Sequence, residues 1–159
     1  MGFIILILSA AAVAIDQILK TLVSQNLKPN GNVTAIPGLL NFIYLENRGA
    51  AFGILQNKQW FFVAATSIIT IAIIILLFRY SHHNFFSYAA AALIIAGGLG
   101  NLIDRVRLGY VVDYISVSFF PPIFNFADIC VTIGTVFLII HLLFFAESDR
   151  GGEKVLRSK

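Results

Sequence analysis

The run Phe61–Phe78 reads FFVAATSIITIAIIILLF, eighteen residues without a charged side chain. A helix of this length spans about 27 Å, close to the roughly 30 Å hydrocarbon core of a bilayer. Three more apolar runs of similar length occur in the chain, and a single segment inside lipid satisfies its backbone only as a helix. The sequence therefore predicts four transmembrane helices, at about 3–23, 61–79, 85–104 and 124–146.

The composition excludes the other broad classes of protein. The chain has 159 residues, of which 58% are hydrophobic and 12% charged, whereas soluble domains carry about 25% charged residues. A water-soluble globule could not cover its surface with so few polar groups, and disorder requires low hydrophobicity. We therefore expect an all-α integral membrane protein that forms a single domain over residues 1–159. The one cysteine, Cys130, excludes an internal disulfide and a cysteine-based zinc site.

The longest segment between predicted spans, about 29–58, carries β-sheet and turn signals. Pro29–Asn32 and Ile36–Gly38 are rich in turn residues, and the β-prone stretches Val33–Ala35 and Leu40–Leu45 follow them. We expect a small sheet or hairpin that lies on the membrane surface. The segment 105–122 is predicted to be irregular, with Pro121-Pro122 positioned to open the fourth helix. A charged tail is expected at 147–159.

The orientation in the membrane is left open by the charges. Four spans place both termini on one side, and the first run lacks the basic start of a cleaved signal peptide. Five Lys and Arg residues fall on the terminal side and six on the other. The positive-inside rule is therefore undecided, and cytoplasmic termini are favoured only slightly.

Charged residues near membrane depth are costly, so each cluster invites a functional hypothesis. Asp16 and Lys20 lie one helical turn apart and can pair, and an interfacial ion pair explains them without a functional role. In the third span, Asn101 and Arg105 share a helical face with Gly97. Packing glycines followed by interfacial charges would also explain that pattern, although the amide of Asn101 needs a buried partner.

Two further carboxylates, Asp113 and Asp128, lie just after the third span and at the start of the fourth. They are therefore on the same side of the membrane and at similar depth. Two carboxyl groups held close share a proton, so one can activate water while the other protonates a carbonyl. We predict an elevated pKa for one of them. Separate salt bridges to Arg105, Arg107 or Lys20 are the alternative interpretation.

Five motifs follow one another along the four predicted spans: Asp16-x-x-x-Lys20, Asn47-Arg-Gly49-Ala-Ala51-Phe52, Gly97-Gly-x-Gly-Asn101-x-x-Asp104-Arg105, Gly109-x-Val-Val-Asp113-Tyr114 and Phe124-Asn125-x-Ala127-Asp128. Together they resemble the lipoprotein signal peptidases, also called signal peptidase II, over nearly the whole chain. The resemblance implies an aspartic endopeptidase of the bacterial inner membrane that removes signal peptides from prolipoproteins, cutting before a lipid-modified Cys.

The resemblance also implies roles for residues. Asp113 and Asp128 would be the catalytic dyad, and seven residues would line, order or support the site: Asn47, Gly49, Asn101, Arg105, Asn125, Asp16 and Lys20. The site would face the extracytoplasmic side, with the surface β segment placed over the substrate and the termini in the cytoplasm. The implied partners are diacylglyceryl-modified prolipoproteins and membrane lipids, with a monomeric enzyme and without nucleic acid, metal or organic cofactor.

Two other functions remain possible from the residues alone. Proton-coupled transporters also use intramembrane carboxylates, although here the charges collect near one face and no inverted repeat is evident. A non-catalytic assembly protein could use the same charges as partner contacts. Substitution of either aspartate separates these alternatives from a peptidase.

Overall fold

The computed structural model describes residues 1–49 and 55–145. Four helices, α1 to α4, are each long and apolar enough to cross a membrane: Gly2–Asn30, Gln59–Arg79, Phe85–Leu108 and Phe126–Phe144. This confirms the prediction of four spanning helices in a multi-pass membrane protein. The first helix extends to Asn30, beyond the expected end at about 23, and the fourth begins at Phe126 rather than 124. The described residues do not include residue 146, the predicted tail at 147–159, or the motif residues Ala51 and Phe52.

Helix α3 is the central element, because it contacts the other three helices. Its buried residues are mostly small, which lets neighbouring backbones approach closely. A Cβ atom at Gly97 would collide with the carbonyl oxygen of Ala127, and one at Gly100 would lie 2.6 Å from the Oδ2 of Asp16. The glycines of α3 therefore allow α1 and α4 to reach it.

A four-stranded antiparallel sheet lies beside the helices in the strand order β1-β2-β3-β4. Its strands are Val33–Ile36, Leu40–Asn47, Val111–Val117 and Phe120–Phe124. The first two strands form the predicted hairpin. The expectation of an irregular segment at 105–122 was wrong: α3 continues to Leu108, and β3 and β4 follow.

The Pro121-Pro122 pair does not open the fourth helix as expected. Both prolines lie in β4, and among the strands of the described residues β4 pairs with β3 alone. Proline lacks a backbone N–H, and an edge strand tolerates that loss because one side of it has no neighbouring strand.

Two short junctions fix how the sheet meets the helices. Gly109 ends α3 with a positive φ of 84° and leads directly into β3, a conformation that glycine adopts without steric cost. Asn125 follows β4 as the N-cap of α4, and its side chain and that of Asp128 form a reciprocal capping box. The middle of β3, which carries Asp113, is thereby brought close to the first turn of α4, which carries Asp128.

Candidate active site

The structure brings Asp113 and Asp128 together around one asparagine. The Nδ2 of Asn125 donates to the Oδ1 of Asp113 at 2.6 Å, and the backbone N–H of Asn125 donates to the Oδ2 of Asp128 at 3.0 Å. Asn125 and Asp113 are almost fully buried. Both carboxyl groups therefore accept hydrogen bonds from Asn125 and lie close to each other, as a catalytic dyad requires.

The alternative of separate salt bridges is not what the structure contains. Among residues 1–49 and 55–145, no ion pair joins Asp113 or Asp128 to a basic side chain. Arg105 instead lies with its guanidinium 5.0 Å from the ring centre of Phe62, and its Nη1 is 3.5 Å from the carbonyl oxygen of Asn101. Within residues 1–49 and 55–145 its remaining N–H donors have no hydrogen-bond partner, so they can bind a substrate.

Asn47 and Asn125 each present an N–H to Asp113, and in each case the orientation of the amide is determined. The Oδ1 of Asn47 accepts the backbone N–H of Gly49 at 2.9 Å, so its Nδ2 faces Asp113 Oδ2 at 2.7 Å. The Oδ1 of Asn125 accepts the backbone N–H of Asp128 at 3.0 Å. A backbone N–H can only donate, so each amide must turn its nitrogen towards the carboxylate.

Asn101 is oriented in the same way, but by a charged side chain. Its Oδ1 accepts from the Nζ of Lys20 at 2.9 Å and from the Nδ2 of Asn125 at 3.2 Å. Its Nδ2 then donates to the Oδ1 of Asp128 at 2.8 Å. Because an ammonium group has no acceptor, the amide of Asn101 cannot flip without placing two donors against each other.

Lys20 is the centre of a buried ionic cluster behind the two aspartates. Its Nζ lies 2.9 Å from the Oδ2 of Asp16 and 3.0 Å from the Oδ2 of Asp104, and all three side chains are at most 4% exposed. The predicted Asp16–Lys20 pair is therefore confirmed as a contact. Asp16 also accepts the backbone N–H of Ala127 at 3.1 Å, and Asp104 accepts that of Val112 at 3.1 Å. The cluster thus joins α1 to α3, β3 and α4.

Two members of this network were not predicted as site residues. The sequence places Asp104 within a motif without assigning it a role, and it gives no prediction for Gln17. The Nε2 of Gln17 lies within hydrogen-bond distance of Asp16 Oδ2, Asp104 Oδ1 and the carbonyl oxygen of Gly100, at 3.2, 3.0 and 3.2 Å. A polar residue next to Asp16 within an apolar helix was the available signal.

The pKa of Asp113 is raised to about 7, first by burial and then by the nearby charge of Asp128. The N–H groups of Asn47 and Asn125 act in the opposite direction, because they stabilise the ionised carboxylate. Asp113 therefore has the elevated pKa that the sequence predicts within this pair. A carboxyl group that titrates near neutral pH can hold a proton and release it during a reaction.

A cavity of about 610 Å³ opens onto both aspartates. Its polar end is lined by six of the nine predicted site residues: Asn47, Gly49, Asn101, Arg105, Asp113 and Asp128. Its other walls are mostly apolar and come from the β3–β4 hairpin and the first turns of α4, with Phe119 and Ile133 among them. A second cavity of about 280 Å³ between α2, α3 and α4 also reaches Asp128.

The nine predicted residues thus divide into two layers. Six line the cavity, whereas Asn125, Asp16 and Lys20 lie behind it: Asn125 contacts Asp113, Lys20 contacts Asn101, and Asp16 contacts Lys20 and the backbone of Ala127. The first layer can touch a substrate, and the second can only position groups that do.

Comparisons with known proteins agree on one family. The family described as signal peptidase (SPase) II matches residues 8–144. The lipoprotein signal peptidase of Clostridioides difficile is 42% identical over 139 residues, which cover 87% of this chain and 93% of that protein. The lipoprotein signal peptidase of Lactiplantibacillus plantarum is 42% identical over 142 residues, which cover 89% and 95%.

Solved structures give the same result. A bacterial membrane enzyme solved by the in meso method at 2.3 Å resolution superposes with a TM-score of 0.81. It is 39% identical in sequence, and the match covers 87% of each chain. The chain therefore belongs to the signal peptidase II family, the membrane peptidases that remove signal peptides from prolipoproteins.

Proposed function

We propose that Asp113 and Asp128 are the catalytic dyad of this peptidase and that it cuts immediately before the lipid-modified Cys of its substrate. The observation that carries the proposal is their shared position: both carboxyl groups line one cavity and both are hydrogen-bonded to Asn125. The transporter alternative receives no support from the family to which the chain belongs.

The reaction follows from one shared proton. We assign that proton to Asp113, whose pKa is raised to about 7, and the negative charge to Asp128, which accepts N–H groups from Asn101 and Asn125. Asp128 takes a proton from water as the water oxygen attacks the scissile carbonyl carbon, and Asp113 gives its proton to the carbonyl oxygen. When the tetrahedral intermediate collapses, one of its hydroxyl groups returns a proton to Asp113 as the carbonyl re-forms, the C–N bond breaks, and the proton on Asp128 moves to the leaving amine.

The surrounding residues position these groups. Asn47, Asn101 and Asn125 direct N–H groups at the carboxylates and keep the oxygens of both aspartates in place. Arg105 lines both cavities at Asp128, where its unused donors would bind a peptide carbonyl of the substrate. Gly49, also on the cavity wall, leaves room for the substrate backbone. Lys20 and Asp16 support the site from behind.

The substrate is a diacylglyceryl-modified prolipoprotein, taken up from the surrounding lipid by a monomeric enzyme. The apolar walls of the large cavity suit acyl chains and an apolar signal segment, while its polar end suits the peptide bond and water.

We place the enzyme in the bacterial inner membrane, as one membrane domain over residues 1–159. Its sheet and active site would face the extracytoplasmic side, and its termini the cytoplasm. A signal peptide crosses the membrane with its basic end in the cytoplasm, which puts its cleavage site on the opposite side.

The test is cleavage of a prolipoprotein by the purified full chain, beside Asp113→Asn and Asp128→Asn. We expect activity in the parent and a loss of at least about 1,000-fold in each variant, because either change removes the shared proton or its acceptor. Glu46→Gln is the matched control, since Glu46 is a carboxylate of the same sheet that pairs with Lys28 and Arg48 outside the cavity.

Retention of activity by Asp113→Asn or Asp128→Asn would refute the dyad. The substrate class is tested in the same assay with the prolipoprotein before and after diacylglyceryl transfer. Equal rates on the two forms would refute the requirement for lipid while leaving the dyad in place.

A further inference from the structure

Two turns of the sheet adjoin at the end farthest from Asn47 and Val111. One joins β1 to β2, the other joins β3 to β4, and the backbone N–H of Ser118 donates to the carbonyl oxygen of Leu39 at 2.9 Å to connect them. Four large apolar residues at these turns are exposed, and we call them the apolar tip: Ile36, Leu39, Phe119 and Phe120.

The exposure of the apolar tip is unusual for a protein surface in water. Phe119 is 79% exposed, and the other three are between 41% and 47% exposed. Single exposed apolar residues are common, but a contiguous group of large ones marks a surface that contacts something apolar. The hydrogen bond between the two turns keeps the group contiguous.

The distribution of charge in the sheet indicates what that contact is. The chain has no Asp, Glu, Lys or Arg from 29 to 45 or from 114 to 127. The charged residues of β2 and β3 instead lie towards the other end, at Glu46 and Asp113. A sheet projecting into water would carry charge at its far end. Here the far end is the apolar one, which suits a sheet that extends along the bilayer.

The apolar tip is also continuous with the lipid-facing surface of a spanning helix. Phe119 and Phe120 line the large cavity together with Ile129 and Ile133 of α4. Ile133 is exposed, as are Val136 and Ile139 further along α4, and in a spanning helix such residues contact acyl chains. The β3–β4 turn therefore lies alongside a face of α4 that already meets lipid.

We propose that the apolar tip inserts into the bilayer beside α4 and that its partner is the acyl-chain region of the lipid leaflet. Inserted there, Phe119 and Phe120 separate the open side of the large cavity from water. The sheet is then anchored at two places, at its polar end by the helix junctions and at its apolar end by lipid.

Fluorescence of a single tryptophan tests the insertion. Trp60 is the one tryptophan of the chain, so Phe119→Trp in a Trp60→Phe background reports from the apolar tip alone. The full chain is reconstituted into phosphatidylcholine–phosphatidylglycerol vesicles whose acyl chains carry bromine, a quencher that acts only on contact. We expect at least a twofold loss of emission relative to unbrominated vesicles, with little quenching by aqueous acrylamide.

The matched control is Asn32→Trp in the same Trp60→Phe background. Asn32 is exposed and follows the end of α1, a helix of 29 residues and hence about 44 Å, longer than the roughly 30 Å hydrocarbon core. We expect acrylamide, and not bromine, to quench this tryptophan. If Phe119→Trp does not fold, Phe120→Trp provides the same report.

Two results would overturn the proposal. Acrylamide quenching without bromine quenching at position 119 would place the apolar tip in water. Protection from both quenchers would show that protein, such as a second copy of this chain, covers it. Neither measurement uses peptidase activity, so failure of the insertion and failure of the proposed catalytic mechanism are distinguishable.

Discussion

The surroundings of Asp113 act on its pKa in opposite directions. Burial and the charge of Asp128 raise its pKa to about 7, whereas the N–H groups of Asn47 and Asn125 favour its ionised form. The pair must carry one proton to work, so the rate depends on whether Asp113 keeps its proton. Neutral pH lies close to the point at which that proton is lost.

We expect kcat/KM to fall as the pH rises above about 7, because Asp113 then ionises and the scissile carbonyl loses its acid. Asn47→Ala removes an N–H that stabilises the ionised form, so the pKa rises further and the fall moves to higher pH. The measurement is a pH–rate profile of both proteins on one lipid-modified prolipoprotein. If the fall stays at the same pH in Asn47→Ala, it does not report the ionisation of Asp113.

Among the elements, α1 is attached to the site by the buried cluster of Lys20 with Asp16 and Asp104. Taking one cation and two carboxylates out of water is costly, and the cost is offset only while every member keeps its partners. Here Asp16 also receives the N–H of Ala127, and Asp104 that of Val112. Removing the lysine would leave two buried carboxylates without a counterion.

We expect Lys20→Met to lower the free energy of unfolding by about 3–5 kcal/mol, the usual effect of removing one partner from a buried pair. Lys28→Met is the matched control, because Lys28 pairs with Glu46 on the surface, and its effect should be much smaller. The measurement is denaturant unfolding of both variants in one detergent. A similar loss in the two variants would contradict a special role for the buried cluster.

The sequence predicts the helices and the first hairpin better than the remaining strands. Elements that depend on interactions between neighbouring residues can be predicted, whereas elements that depend on contacts distant in the chain cannot. The spans were evident because twenty apolar residues in a row constrain the backbone locally in lipid. Strand β3 was not predicted because it depends on pairing with β2, more than sixty residues away in the chain, and β4 was not predicted because it contains Pro121-Pro122. The hairpin of β1 and β2 is local, and its turn residues predicted it.

The site shows the same limit. That Asp113 and Asp128 lie at one depth follows from their positions beside the ends of two spans. The position of Gln17 beside Asp16 was a signal, but its contact with Asp104 depends on how α1 packs against α3, which the sequence of α1 alone does not determine. The orientations of the three asparagine amides depend on donors from Lys20 in α1, Gly49 after β2 and Asp128 in α4, and could not be predicted either.

The orientation of the whole molecule in the membrane can be measured directly. The residues at the two ends of the bundle can be labelled separately, with Asn32 after α1 and Ser81 between α2 and α3, both exposed. Cys130 is buried and is replaced by alanine to leave a cysteine-free background. Asn32→Cys and Ser81→Cys are then exposed, in bacteria that produce the full chain, to a maleimide that does not cross the inner membrane.

If the active site faces outward, Asn32→Cys is labelled in intact cells, and Ser81→Cys is labelled only after the membrane is permeabilised. This arrangement places Asp113 and Asp128 on the side where the cleavage site of a translocated prolipoprotein emerges. The opposite labelling pattern would put the dyad in the cytoplasm, where the basic end of the signal peptide remains. The enzyme could then not reach the bond before the lipid-modified Cys. The opposite pattern would therefore refute both the proposed orientation and the proposed substrate.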